Sequence, residues 1–209
     1  MNAEAMTWLN RPKQFSVNDG ELTIVTEPET DFWQRSYYGF QNENAPALLA
    51  TIDENFTLSV RVRFEYKMRF DQAGIVIYLN KDNWFKASIE YENSDLSRLG
   101  SVVTNFGYSD WASNDIASVN EVWFRLSRRG PDFLIESSLD GRNYQQMRVF
   151  HLHLLGETKR EMGWVDPPPP ASLPISVGYY ACSPQDSSFV ARFDDIKLGL
   201  CSWPANGST

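Results

Sequence analysis

Strict alternation of apolar and polar residues is the dominant pattern along this chain. It is clearest over residues 56–65, where every second residue from Phe56 to Phe64 is apolar and the intervening residues are polar. A strand with this pattern buries one face and exposes the other. Similar runs occur at residues 22–26, 75–79, 85–91, 101–105, 122–129, 133–138, 175–181 and 189–198. More than eight such strands predict two stacked sheets.

Short connections rich in turn residues link these runs. Asn18-Asp19-Gly20 and Leu139-Asp140-Gly141-Arg142 are examples, and such Asp-Gly pairs tolerate the positive φ angles of a tight hairpin. The connections leave no room for the crossover helices that parallel strands require, which excludes the doubly wound and α/β-barrel classes. The pattern therefore predicts an all-β sandwich of two antiparallel sheets.

One segment departs from the strand pattern. Residues 152–164 suit a short helix, and a loop with four consecutive prolines, residues 167–170, follows it. Because proline has no backbone donor, this loop is predicted to run extended, as a spacer or surface arm. No internal repeat or domain boundary is visible. Residues 1–209 are therefore predicted to form one domain, with a flexible tail at residues 202–209.

The acidic charge balance limits the partners. The net charge is −8, and such a field repels phosphate backbones, so no nucleic acid partner is expected. No segment approaches the roughly 18 apolar residues of a membrane span, and residues 1–11 lack the features of a signal peptide. We expect a cytoplasmic protein without membrane contact, either a monomer or a homodimer.

The cysteines and histidines form no recognisable metal site. Cys182 and Cys201 are too few for the disulfide framework of a small secreted domain, so both are predicted to be reduced. His151 and His153 would share one face of a strand, but no third ligand follows at metal-binding spacing. We predict a structural role for both histidines, no metal and no cofactor.

The strand at residues 84–92 carries the most informative polar face. Alternation places one set of its side chains on the face opposite the apolar residues: Trp84, Lys86, Ser88, Glu90 and Glu92. One interpretation is a sugar-binding groove, in which the Trp84 ring stacks on a sugar while Lys86 and Glu90 bind hydroxyl groups. The alternative is a solvated face on which the charges pair with arginines of neighbouring strands.

The carboxylates of this strand allow a catalytic hypothesis. Glycosidases require two carboxyl groups, and Glu90 and Glu92 lie about 6.6 Å apart along a strand. Asp71 is another possible partner for Glu90. Any two residues at this spacing on a polar strand share the same geometry, so the spacing alone does not identify a catalytic pair. No G-x-S-x-G motif of a serine hydrolase is present.

Residues 108–111, Tyr-Ser-Asp-Trp, are predicted to form a loop after the strand that ends near Phe106. Loops at strand ends often carry functional residues. Asp110 and Trp111 would combine a hydroxyl acceptor with a stacking ring. Alternatively, Asp110 folds back on its own turn and Trp111 caps the core.

A series of short motifs between residues 9 and 200 resembles an uncharacterised concanavalin-A-like family. This family, domain of unknown function 1349, includes the bacterial YesU-like proteins and the fungal regulators of enolase. The motifs are Asp31-Phe32-Trp33-Gln34-Arg35, Tyr38-Gly39-Phe40, Phe70-Asp71-Gln72-Ala73-Gly74, residues 84–91, Val102-Val103-Thr104, Ser109-Asp110-Trp111, Leu139-Asp140-Gly141 and residues 177–184.

The resemblance implies a jelly roll of the lectin/glucanase type with one concave sheet. It also implies a set of residues that line the concave surface: Phe32, Trp33, Tyr38, Asp71, Gln72, Trp84, Lys86, Glu90, Asp110 and Trp111. This chain departs from many relatives in two places. Tyr37 stands where they carry histidine, and they lack the four-proline insertion.

Three functions follow as hypotheses. The first is carbohydrate binding without catalysis. The second is a glycoside hydrolase or lyase that uses Glu90 with Glu92 or Asp71. The third is a protein-interaction or regulatory module whose exposed aromatic residues form an interface. Fold analogy favours carbohydrate but does not decide between binding and cleavage.

Overall fold

A computed structural model describes residues 5–206 as two large antiparallel sheets. The strands are β1 (Thr7–Leu9), β2 (Gln14–Asn18), β3 (Glu21–Val25), β4 (Phe32–Gln34), β5 (Gln41–Glu43), β6 (Ala47–Ile52), β7 (Phe56–Glu65), β8 (Gln72–Asn80), β9 (Asn83–Tyr91), β10 (Leu96–Asn105), β11 (Tyr108–Ala117), β12 (Glu121–Arg129), β13 (Asp132–Ser138), β14 (Gln145–His151), β15 (Ile175–Cys182) and β16 (Val190–Leu200).

Each large sheet has seven strands. The front sheet has the order β1-β6-β15-β8-β9-β10-β11, and the back sheet has the order β14-β13-β12-β7-β16-β3-β2. A separate hairpin joins β4 to β5. The all-β, two-sheet prediction is confirmed, and each of the nine predicted strands corresponds to an observed strand.

The core lies between the two large sheets. The apolar residues of β7 alternate with polar ones and are buried, as predicted, and they join the apolar residues of β9 and β12 in one cluster. Phe150 of β14 stacks on Phe85 of β9 with ring centroids 3.9 Å apart, which ties the back sheet to the front sheet. Burying each large apolar side chain contributes about 1.5–3 kcal/mol, so alternation explains both the strands and their packing.

Seven strands were not predicted, and their sequences show why. β6 has the sequence ALLATI without clear alternation, because its first three residues are buried on both faces, Leu48 in the main core and Leu49 in a second cluster. The strands β1, β2, β4 and β5 have only three to five residues. β11 and β14 are edge strands with mostly polar or exposed positions.

The predicted loop at residues 108–111 is wrong. These residues begin β11, which pairs with β10 along its whole length from Tyr108 to Ala117. The turn is at Phe106 and Gly107, both with positive φ. The strand went unrecognised because an edge strand that is exposed on most positions lacks an apolar stripe.

The segment after β14 is helical only in part. A 3-10 turn at His153–Leu155 and one short α-helix, α1 (Arg160–Trp164), occupy the predicted helical region. The four-proline loop that follows is held against the body of the protein, where Asn55 Nδ2 donates a hydrogen bond to the Pro169 carbonyl at 2.7 Å. Within residues 5–206, neither helical segment has the length or apolar character needed to cross a membrane.

Residues 202–206, which lie within the predicted flexible tail, contact the body of the protein. Arg129, which is 2% exposed, donates hydrogen bonds to the carbonyls of Met162, Val165 and Trp203 and to the Asp166 carboxylate. The Ala205 amide donates to the same carboxylate at 2.8 Å. The buried guanidinium therefore anchors the C-terminal segment, and residues 207–209 lie outside the described part of the chain.

Candidate functional site

The outer face of the front sheet, opposite the main core, has a row of small residues across its centre. Directly paired residues of antiparallel strands point to the same face. The register places Gly74, Ser88, Gly100 and Ser113 side by side on β8, β9, β10 and β11, and Tyr180 of β15 ends the row. We call Gly74, Ser88, Gly100 and Ser113 the small-residue row. Because these side chains rise little above the sheet, the row forms a depression.

Larger side chains border the small-residue row on both sides. On one side the register aligns Gln72, Glu90 and Arg98. On the other side it aligns Lys86, Val102 and Trp111. The sequence alone shows Lys86, Ser88 and Glu90 on one face, but the neighbours that complete the depression come from strands distant in sequence.

The β4–β5 hairpin covers the adjacent part of this face. Phe32 of β4 packs on Trp84 and Tyr180, with ring centroids 5.6 and 5.9 Å apart. These residues belong to a second apolar cluster, separate from the main core, with Val76, Val102 and Cys182. The hairpin therefore converts an open sheet face into a pocket.

The pocket has a volume of about 280 Å³ and mixed walls. Five aromatic side chains line it: Trp33, Tyr38, Phe40, Phe70 and Trp111. Its polar lining includes Asp31, Gln72, Lys86, Ser88, Glu90, Arg98 and Ser101. Trp111 and Tyr38 are 40% and 51% exposed, so both rings are accessible from solvent.

Lys86 is the centre of the polar floor. It is 4% exposed, and its Nζ donates to Asp31 Oδ1 and to Gln72 Oε1, each at 3.0 Å. Burial lowers the pKa of Lys86, but Asp31, Cys182 and Glu90 together outweigh burial, so the pKa is raised above its ordinary value. The pocket therefore contains a fixed ammonium group beside a fixed carboxylate.

Gln72 connects Lys86 to Glu90. Its Oε1 accepts hydrogen bonds from Lys86 and from the Tyr180 hydroxyl at 3.0 Å, while its Nε2 donates to Glu90 Oε2 at 3.1 Å. The Ser88 hydroxyl also donates to Oε1, at 3.4 Å. These contacts fix the orientation of the amide and hold the polar groups at the floor in one network.

Burial raises the pKa of Glu90 to about 7, with Lys86 opposing the rise. The ordinary value is 4.5, so Glu90 carries a proton over much of the range in which other carboxyls are ionised. A group of this kind can donate a hydrogen bond at mildly acidic pH and accept one above neutral pH. Its position in the pocket brings both forms within reach of a ligand.

The raised pKa of Glu90 predicts a pH-dependent stability. The folded state holds this proton more tightly than the unfolded chain does. The stabilisation of the fold by the protonated Glu90 is therefore complete below pH 4.5 and is lost as the pH rises through 7. Glu90→Gln removes the ionisation. Between pH 4.5 and pH 8 the free energy of unfolding of the variant should therefore increase by about 1–3 kcal/mol relative to that of wild type. Urea unfolding at both pH values measures the difference, with the exposed Glu65→Gln as the control. Parallel curves for Glu90→Gln and wild type would contradict this prediction.

Arg98 and Trp111 form one rim of the pocket. The Arg98 guanidinium lies 5.8 Å from the centroid of the Trp111 ring, and its Nη2 lies 3.4 Å from the Glu92 carboxylate. Arg69 approaches the same carboxylate at 2.7 Å. The ion pair with Glu92 restrains Arg98 beside the indole, and Trp111 is 40% exposed.

Six of the eight predicted ligand-binding residues line the pocket: Trp33, Tyr38, Gln72, Lys86, Glu90 and Trp111. Trp84 does not, because it is 0% exposed beneath the β4–β5 hairpin and its Nε1 donates to the Lys81 carbonyl. Asp110 does not either. It is paired with Arg148 of the back sheet at 3.1 Å, because it lies one position from Trp111 on β11 and so points to the opposite face.

Two of the three predicted catalytic candidates lie outside the pocket. Asp71 is fully buried, and its Oδ2 accepts hydrogen bonds from the amides of Lys67 and Met68 and from the Ser187 hydroxyl. It holds a turn together. Glu92 is engaged by Arg69 and Arg98. The carboxylate that lines the pocket with Glu90 is Asp31, which precedes β4 and gives no local signal of its role.

The remaining titratable candidates have structural contacts. His151 Nδ1 lies 2.8 Å from Asp132 Oδ1, and its ring is 5.1 Å from that of His153. Cys182 and Cys201 are free thiols, as predicted. Burial, together with Asp31, raises the pKa of Cys182 well above its usual range, so this thiol is protonated and a poor nucleophile.

The family model with the description "Protein of unknown function (DUF1349)" matches residues 8–201. The chain belongs to this family. "Regulation of enolase protein 1" of Saccharomyces cerevisiae is 30% identical to it over 193 residues, which cover 92% of this chain and 88% of the yeast protein. These matches confirm the family resemblance inferred from the short motifs.

Solved structures share the fold. The crystal structure of a functionally unknown protein from Saccharomyces cerevisiae has a TM-score of 0.81 and 28% identity, and covers 96% of this chain and 98% of its own. A GH43 protein from Bacillus licheniformis has a TM-score of 0.65 and 17% identity, and the match covers 90% of this chain and 35% of the GH43 protein. The alginate lyase from Klebsiella pneumoniae has a TM-score of 0.60 and 11% identity, and the match covers 93% of this chain and 87% of the lyase. The last two likenesses, at low identity, establish the jelly-roll fold alone.

Proposed function

We propose that this protein binds carbohydrate in the pocket on the outer face of its front sheet. The observation that carries the proposal is the combination of aromatic walls and a charged, hydrogen-bonded floor in one cavity. A sugar ring has apolar C–H faces and a polar edge of hydroxyl groups. Aromatic rings bind the faces, and fixed charged groups bind the hydroxyls with charge-assisted hydrogen bonds.

The polar floor suits hydroxyl groups because it offers both donors and acceptors. Lys86 donates and Asp31 accepts, and both are held in place by their mutual contact at 3.0 Å. A pair of neighbouring hydroxyls can donate to Asp31 and accept from Lys86 without disturbing that contact. Since the floor is preorganised, little conformational entropy is lost on binding.

The accessible aromatic wall provides the first test. Trp111→Ala should weaken binding of any recognised sugar by at least about tenfold, or about 1.4 kcal/mol, because it removes a stacking surface. The melting temperature should change little, since this ring is 40% exposed and lies outside both apolar clusters. A glycan array identifies the sugar, and calorimetric titration measures the affinities.

Tyr108→Ala is the matched control for this test. Tyr108 is an exposed aromatic residue on the same strand, but it points away from the pocket because it lies three positions from Trp111. Equal losses in both variants, or no loss in either, would contradict sugar binding at the pocket. Binding that only Trp111→Ala weakens supports it.

Cleavage of a glycosidic bond is a second candidate function, favoured by the raised pKa of Glu90 within the pocket. A carboxyl that keeps its proton near neutral pH can act as a general acid. Chromatography of glycans incubated with wild type and with Glu90→Gln tests this function. New products that require Glu90 would establish an enzyme, whereas binding without turnover would leave carbohydrate binding as the function.

A regulatory role is a third candidate, suggested by the name of the yeast relative and by the exposed turn of the β4–β5 hairpin. Tyr37 at this turn is 95% exposed, beside Tyr38 at the pocket mouth. Such a ring suits a protein contact. Assays of enolase with added wild type or Tyr37→Ala test the role, and inhibition or activation that the substitution removes would support it.

A further inference from the structure

Two side chains meet over Gly100 and form the wall of the pocket on the β11 side. The Trp111 indole comes from one side of the small-residue row, with its Nε1 3.0 Å from the place that a Cβ on Gly100 would take. The Arg98 guanidinium comes from the other side and lies 5.8 Å from the centroid of that ring. On the β15 side the row ends at Tyr180, which is fully buried. A ligand in the pocket therefore lies over Ser88 and faces Arg98.

Arg98 lines the pocket with hydrogen-bonding capacity that the protein does not use. Its buried Nε has no hydrogen-bond partner within residues 5–206. Charge-assisted hydrogen bonds are usually about 2.7–2.9 Å long, but Nη2 lies 3.4 Å from Glu92 and Nε lies 3.8 Å from Asp115. Glu92 has a closer partner in Arg69, at 2.7 Å. The Arg98 guanidinium therefore retains donors for an acceptor that a ligand supplies.

The charges that line the pocket leave one positive charge to be balanced. Lys86 is already paired, because its Nζ lies 3.0 Å from the Asp31 carboxylate. Glu90 is the direct neighbour of Arg98 across β9 and β10, and burial raises its pKa to about 7. Below that pH it adds a proton donor beside Arg98 instead of a second negative charge. The lining then has two positive groups, Lys86 and Arg98, and one negative group, Asp31.

A carboxylate suits this position better than a phosphate. Both oxygens of a carboxylate match the planar fork of a guanidinium, and its single charge balances the lining. A phosphate ester carries up to about two negative charges near neutral pH, one more than the lining balances, close to Asp31. The net charge of −8 opposes any anion at long range, but physiological salt screens exposed charges beyond about 8 Å. The contact with Arg98 is shorter than this distance.

We infer that the ligand of the pocket is an acidic sugar, a uronic acid unit whose carboxylate binds the Arg98 guanidinium. This inference rests on the proposed carbohydrate binding and specifies its ligand. The sugar ring lies over Ser88 beside the aromatic walls, and its hydroxyl groups contact Lys86 and Asp31. Protonated Glu90 donates a further hydrogen bond to the ligand carboxylate.

Paired acidic and neutral sugars test the inference. The probes are methyl glycosides and tetrasaccharides of glucuronic, galacturonic and mannuronic acid, each paired with the glucose, galactose or mannose compound of the same linkage. Calorimetric titration at about pH 6, where uronic acids are ionised, gives the affinities. At least one acidic probe should bind about tenfold more tightly than its neutral partner, because it alone makes the charged contact. A preference below about threefold in every pair would overturn the inference.

Arg98→Gln provides the second measurement. Glutamine removes both the charge and the fork, so the preference for the acidic probe should fall from about tenfold to below about twofold. A variant that is merely less stable would bind both sugars of a pair more weakly. The ratio of the two affinities therefore isolates the contact with the ligand carboxylate. A wild-type ratio in folded Arg98→Gln would overturn the inference.

Arg69→Gln is the matched control for this measurement. Arg69 pairs with the same Glu92 carboxylate at 2.7 Å, but its side chain is 51% exposed and does not line the pocket. The ratio of affinities should stay within about twofold of wild type, since an exposed charge contributes little. An equal loss of preference in both variants would show that the charge near Glu92, and not contact with Arg98, sets the preference. That result would also overturn the inference.

The outcomes separate the ligand from the proposed function. If none of the acidic or neutral probes saturates the protein, the proposed carbohydrate binding fails and the inference fails with it. If the neutral probes bind as tightly as their acidic partners, carbohydrate binding stands and only the acidic ligand is overturned. A phosphate ester of glucose, titrated in parallel, tests the choice of anion. Tighter binding of this ester than of every uronic acid would overturn the assignment of a carboxylate.

Discussion

Replacing Lys86 with methionine should weaken sugar binding by about 100-fold and lower the free energy of unfolding by about 3–5 kcal/mol. The loss of affinity corresponds to the upper part of the 1.5–3 kcal/mol of a hydrogen bond to a charged group. The loss of stability arises because the substitution leaves the Asp31 carboxylate, only 18% exposed, without its ammonium partner. Few positions combine the two effects, since Lys86 serves both the ligand and the floor.

A double substitution separates the two roles of Lys86. Lys86→Met with Asp31→Asn removes both charges, so most of the stability should return because no carboxylate remains unpaired. The affinity should stay low, since the charged groups that bind hydroxyls are both absent. Urea unfolding and calorimetric titration of the two single variants and the double variant give the coupling free energy between Lys86 and Asp31, for stability and for sugar binding.

The exposed Lys197→Met is the matched control for these measurements. Its side chain is 73% exposed and pairs with Asp195, so the substitution should change stability by less than about 1 kcal/mol. A Lys86→Met variant as stable as this control would show that the buried pair does not hold the floor. An unchanged affinity in Lys86→Met would remove Lys86 from the binding site.

Replacing Arg129 with methionine should destabilise the fold by about 3–5 kcal/mol. The substitution removes the donors to three carbonyl groups and to the Asp166 carboxylate in a site where Arg129 is 2% exposed. For a chain of this size the melting temperature should fall by roughly 10 °C. α1, the proline loop and residues 202–206 lose a shared anchor.

Arg192→Met provides the control for Arg129. Arg192 pairs with the exposed Glu65 at 2.8 Å, so its loss should change stability by less than about 1 kcal/mol. Sugar affinity should be unchanged in folded Arg129→Met, because Arg129 ends a strand of the back sheet whereas the pocket lies on the front sheet. A destabilisation no larger than that of Arg192→Met would contradict the anchoring role.

Alternation predicted the sheet faces well but not what covers them. It placed Trp84, Lys86 and Glu90 on the face opposite the core, and the structure agrees. It treated that face as uniformly exposed, yet Trp84 is buried because the β4–β5 hairpin, about 50 residues earlier in the chain, packs over it. A pattern within one strand contains no information about such a distant segment.

The same limit applies to the chemistry of the pocket. Asp31 is separated from Lys86 by 55 residues and lies in a loop without periodicity, so only the tertiary structure reveals the pair. The sequence predicts Asp71 as a possible catalytic partner of Glu90 and Asp110 as a hydroxyl acceptor. Their side chains are committed elsewhere, Asp71 to backbone amides and Asp110 to Arg148. Residue type identified the candidates, but the hydrogen-bond partners separated them.

Titration of the strongest ligand from a glycan array into wild type and Ser88→Leu tests the central claim most directly. Ser88 lies at the floor of the pocket, so a leucine side chain there occupies the space assigned to the sugar ring. Ser94→Leu, in the exposed turn between β9 and β10, is the control. We predict that binding is lost in Ser88→Leu and retained in Ser94→Leu, with both variants folded. Undiminished binding by folded Ser88→Leu would show that the pocket is not the carbohydrate site.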